Sequence, residues 1–126
     1  MKRFTIIILI SIIHTAFVIP TEDYRDGYTG NYVCVSRCVS ISSDLTELIH
    51  RNDTATISVT KNLLQDSILT VAVGGQVYQM KLNNNRMSDN SLRSHYQGLF
   101  FSEDSISFSW SSVRLPTGCS YKGIKQ

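Results

Sequence analysis

ILTVAVGGQVYQMKL, Ile68 to Leu82, is the stretch that decides the fold. Two alternating runs flank Gly74-Gly75, and a two-residue primed turn demands the positive φ that glycine allows. Setting Val73 opposite Gln76 pairs Val71 with Tyr78, Leu69 with Met80 and Ser67 with Leu82. The other face pairs Ala72 with Val77, Thr70 with Gln79 and Ile68 with Lys81. One face is far more apolar than the other, and a one-residue slip would destroy that separation.

The same period runs outward from this hairpin. Gly30 to Ile41 reads as a long strand, with Val33, Val35, Val39 and Ile41 on one face. Tyr32, Cys34, Ser36 and Cys38 take the other face, read as outward. Ser43 to His50 fits either a helical turn capped by Asp44 or a short strand. Asn52-Asp53 reads as a turn, and Ala55 to Lys61 alternates again. Asn83-Asn84-Asn85 marks another turn, followed by an irregular loop to His95. A second hairpin turns at Glu103-Asp104, with Ser102 opposite Ser105, Phe101 opposite Ile106, Leu99 opposite Phe108 and Gln97 opposite Trp110. Phe101, Phe108, Trp110, Tyr78 and Tyr121 are expected to fill the core, while Tyr96 and Phe100 form an exposed patch. Leu115-Pro116-Thr117-Gly118 is a turn, and Cys119 to Lys125 is the last strand. The expectation is an all-β antiparallel meander of seven to eight strands closing into a small barrel, with a β-sandwich as the alternative.

The first 21 residues belong to a different regime. Lys2 and Arg3 precede an apolar run from Phe4 to Ile19, which ends at Pro20. A basic start, a short apolar core and a polar exit predict a signal peptide, residues 1–21, and a secreted or periplasmic protein. The alternative is an uncleaved anchor, because His14, Ala16 and Val18 match a cleavage site poorly. Residues 22–29 read as a flexible polar leader, and 30–126 as one barrel domain. The chain carries twelve Lys and Arg against ten Asp and Glu. Lys2 and Arg3 account for the excess, so the exported part is balanced. That balance argues against nucleic acid, which calls for a basic stripe, and without a polybasic cluster no membrane association is expected after cleavage.

Cys34, Cys38 and Cys119 are the disulfide candidates. Cys34 and Cys38 would lie about 13 Å apart in a regular strand at roughly 3.3 Å per residue. A disulfide needs Cα atoms within about 7 Å. Either one of them joins Cys119, tying first strand to last, or Val35 to Arg37 loops out so that the two pair, or the thiols stay free; an odd cysteine is then buried or pairs between chains. The C-x3-C spacing is not that of a zinc site, and no metal or cofactor is expected. His50 and His95 are the only histidines after the signal, and no nucleophile motif accompanies them, so the chain is read as non-enzymatic. Glu103-Asp104 reads as the polar tip of a hairpin. Asn52-Asp53-Thr54 is a glycosylation sequon, which has meaning only in a eukaryotic secretory route.

With Gly30-Asn31-Tyr32 opening its first strand and Ser120 to Ile124 forming its last, the chain resembles the lipocalin and calycin group, or small secreted bacterial meander barrels. Tyr32 stands where lipocalins carry the Trp of Gly-x-Trp. The resemblance implies a small apolar or lipidic ligand in the barrel mouth, near Tyr96 and Phe100, with Trp110 as a further contact. Secreted protease-inhibitor barrels are similar in size and disulfide content. They imply the alternative function, binding of a secreted or host protein, with Thr21 to Thr29 as the arm.

Overall fold

The computed structural model describes residues 22–90 and 94–126, so the signal peptide expected over residues 1–21 lies outside the described residues. A 3₁₀ turn at Asp26–Tyr28 precedes eight strands. These are β1 (Gly30–Ile41), β2 (Leu48–Lys61), β3 (Ile68–Val73), β4 (Gln76–Asn83), β5 (Arg86–Asn90), β6 (Ser94–Ser102), β7 (Ser105–Ser112) and β8 (Gly118–Lys125). Each pairs antiparallel with the next, and β1 pairs with β8 to close the barrel.

The β3–β4 hairpin has the register expected of it, from Ile68–Lys81 to Val73–Gln76. Gly74 and Gly75 take φ of 58° and 78°, as a primed turn requires. Asn84, at φ 54°, turns β4 into β5. The irregular loop expected before His95 is instead largely strand β5, whose Met87 is buried.

Three further expectations about the strands are corrected. The first is the orientation of β1. Tyr32, Cys34 and Ser36 face inward and are buried, whereas Val35 is 59% exposed. A barrel interior is filled to a fixed volume, with large and small residues alternating. Tyr32 supplies bulk at one end, and its hydroxyl is satisfied between the carbonyls of Tyr28 (2.7 Å) and Glu103 (3.0 Å). Cys34 is small because β8 passes close by: a side chain at Gly123 would collide with the Cys34 sulfur.

The second correction concerns β6. Phe100 pairs with Ile106 and Ser102 with Ser105, so Phe101 is an extra residue, a β-bulge. Upstream of the bulge every side chain changes face. Phe100 is buried and Phe101 is exposed, the reverse of the expected order. Tyr96, not Gln97, faces Trp110, and Gly98, not Leu99, faces Phe108.

The third concerns β2. Asn52-Asp53 is no turn but lies mid-strand, opposite Arg37 and Ser36. Ser42 to Glu47 makes the turn instead, closed by Ser42 N–H donating to the Glu47 carbonyl at 2.8 Å. Asp44 accepts from the Thr46 backbone and hydroxyl rather than capping a helix.

Candidate functional site

The two ends of the barrel differ. One is sealed by residues 23–32. The ring of Tyr28 stacks on Phe100 at 4.4 Å, and Tyr32 packs beside them. Lys125 donates to the Gly27 carbonyl at 2.6 Å. Arg25 is buried, and its Nη1 donates to the carbonyls of Asn62, Gln65 and Ile68 at 2.8–3.0 Å. Its Nε and Nη2 hold the Asp23 carboxylate. Residues 23–29, expected to be a flexible leader, are therefore folded onto the barrel. Above this seal the interior is solid: Ile57, Leu69, Val71, Met80 and Phe108 are fully buried.

The other end carries the candidate site. Inner-face neighbours follow from register. Cys38 pairs with Cys119, Cys119 with Trp110, Trp110 with Tyr96, and Tyr96 with Asp89. On β2 the same face carries Arg51 opposite Cys38 and Asp53 opposite Ser36. The ring of Tyr78 lies 4.5 Å from Tyr96 and 5.6 Å from Phe108, which in turn lies 6.2 Å from Tyr121. The mouth is thus an aromatic floor with a charged rim. Tyr96, Tyr78 and Trp110 are half-buried, while Arg51, Asp53 and Asp89 are exposed. Burial, and then the neighbouring hydroxyls of Tyr96 and Tyr121, raise the Tyr78 pKa.

Among the cysteines, Cys38 and Cys119 form the disulfide, with Cα atoms 4.1 Å apart, and Cys34 is a buried thiol. Burial pushes Cys34 up to about 11. A thiol in that state is a poor nucleophile. His50 lies on the outward side of β2 and His95 is exposed, so neither approaches Cys34.

Of the expected contact residues, Tyr96 and Trp110 are brought together. Phe100 is not; it lies at the sealed end, inside the wall rather than in a surface patch. Sequence reasoning missed Arg51, Asp53 and Asp89. Asp89 follows Met87 at period two, the one signal that could have placed it at the mouth. Two depressions lie outside the wall. One, of about 630 Å3, is flanked by Arg86, Gln97 and Leu99. The other, of about 520 Å3, runs along Val39, Leu48, Leu115 and Pro116 to the edge of Trp110.

No protein-family model, curated protein or solved structure matches the chain, so the reading of this site rests on its own residues.

Proposed function

We propose that this is an exported, non-enzymatic, lipocalin-like binding barrel that takes a small flat apolar molecule at its open end. The observation that carries the reading is the Tyr96–Trp110 cross-strand pair with the Tyr78 ring tilted against Tyr96 at 4.5 Å. Aromatic faces held at stacking distance bind flat apolar groups at little conformational cost. The filled interior below favours a shallow ligand over a long acyl chain. Tyr32 seals the far end from the place of the lipocalin Trp, and the disulfide suits an oxidising compartment.

Trp110 is the only tryptophan, so its emission reports on the mouth directly. Titration with indole, an aminonaphthalene and a long-chain fatty acid tests the proposal. The flat aromatics should shift the emission saturably, and Tyr96→Ala should weaken them roughly tenfold, the scale of one lost aromatic contact. If none of the three perturbs Trp110, the ligand-binding reading falls.

A second reading, binding of a secreted or host protein, draws on a separate observation. Leu63 and Leu64 are 89% and 93% exposed on a loop that Arg25 holds in place. Rigidly presented apolar side chains suit a protein partner. Leu63→Ser with Leu64→Ser should abolish such binding and leave Trp110 emission unchanged.

A further inference from the structure

β2 outruns its neighbour. β3 pairs only with Ser58 to Lys61, and among the described residues no strand pairs with the same side of β2 from Leu48 to Ile57. The hydrogen-bonding direction along this edge is fixed at both ends. Ser42 N–H donates to the Glu47 carbonyl, so odd-numbered residues of β2 bond towards β1. Asn62 N–H donates to the Ile68 carbonyl, so even-numbered residues bond towards β3. The backbone groups of Leu48, His50, Asn52, Thr54 and Thr56 therefore point outward from the edge. The Thr54 N–H is met there only by the adjacent Asp53 carboxylate, at 2.7 Å. An edge of this kind is a template for another strand.

We infer that the occupant is the same edge of a second copy, antiparallel, with a two-fold axis through Asn52. Asn52 then pairs with Asn52 of the second copy, His50 with Thr54, and Leu48 with Thr56, all through outward-pointing backbone groups. Between them Arg51 stands opposite Asp53 of the second copy, twice. These are the non-hydrogen-bonded positions, where opposing side chains come closest. Neighbouring registers lose this match. A shift of one sets Arg51 against Arg51 or Asp53 against Asp53, and a shift of two sets Arg51 against Ile49 or Ile57. The paired window stops at Thr56, short of the Ser58–Ala72 pairing. The inference does not depend on what the mouth binds.

Sedimentation velocity over a concentration series of the exported, disulfide-bonded protein tests it. The wild type should dimerise. Arg51→Asp alone and Asp53→Arg alone should each weaken the dimer by about tenfold or more, since two attractive pairs become repulsive. Mixing these two variants should restore association as a heterodimer, which also shows that both are folded. Asn52→Pro should abolish the dimer; its N–H faces away from β1, so the barrel loses no ladder bond. A wild type that stays monomeric throughout would make Arg51 and Asp53 guards against edge pairing and overturn the inference. So would a dimer indifferent to charge reversal, or mixed variants that fail to associate.

Discussion

Cys38 and Cys119 are register partners across the β1–β8 seam, and their sulfurs are joined. The bridge closes the barrel covalently at the mouth, two strands from Tyr96. Their sequence separation is 81. Closing a loop of that length stabilises by about 4 to 5 kcal/mol in the chain-entropy account. Cys38→Ser should therefore lower the urea-unfolding free energy by about that amount, with the loss halved or less if the unfolded chain retains structure. Urea titration of the variant, compared with the oxidised wild type, measures it.

The alternation of the β6–β7 hairpin is read correctly only with its bulge. Phe100 is 1% exposed and Phe101 is 63% exposed. Phe100→Ala should cost about 3 to 5 kcal/mol, as for other buried aromatics, whereas Phe101→Ser should stay within about 0.5 kcal/mol. Equal costs for the two in chemical denaturation would place the bulge elsewhere.

These two phenylalanines also show where sequence reading stops. The β3–β4 hairpin was legible because Gly74-Gly75 specifies the turn and both strands then alternate cleanly. In β6 the alternation is equally clean, but an extra residue changes its sense, and nothing in Leu99-Phe100-Phe101-Ser102 marks which residue is extra. Tyr96 and Trp110 are thus legible singly but not as a pair. In β1 hydrophobicity pointed to the valines, but volume and hydroxyl satisfaction at Tyr32 decided the inward face. β2 was cut short because Asn52-Asp53 has turn chemistry, which pairing with β1 overrides. The partners of Arg25 are loop carbonyls, and a carbonyl leaves no trace in a side-chain pattern.

Buried acids should make the fold sensitive to alkali. Burial, reinforced by Asp104 and Glu103, pushes the Tyr32 hydroxyl up to about 12, while Cys34 sits at about 11. The unfolded chain releases the Cys34 proton from about pH 9 and the Tyr32 proton from about pH 10. The folded protein keeps both, so the unfolded state binds fewer protons and stability falls as pH rises between about 9 and 12. Cys34→Ala should flatten the lower part of that decline and Tyr32→Phe the upper part. Thermal midpoints across this range decide it.

Acid should act at the sealed end, through Asp23. Hydrogen bonds from Arg25, side chain first and backbone second, hold the Asp23 carboxyl far below the usual carboxylate range. A lowered folded value means the contribution is complete above the unfolded pKa of about 4 and is lost as pH falls through the folded one. Asp23→Asn should remove this part of the acid sensitivity by lowering stability at neutral pH towards its acid value. Arg25→Ala goes further, because the carbonyls of Asn62, Gln65 and Ile68 lose a shared donor. The Gln65 and Ile68 carbonyls keep backbone donors in Ile68 and Asn62, but the side chain that ties all three to the leader is gone, so the loop from Asn62 to Ile68 should open. Hydrogen exchange should then quicken at residues 62–68 and at Tyr28, with the Trp110 environment unchanged at the far end. Exchange that quickens uniformly around the barrel would mean that Arg25 supports the whole fold rather than its seal.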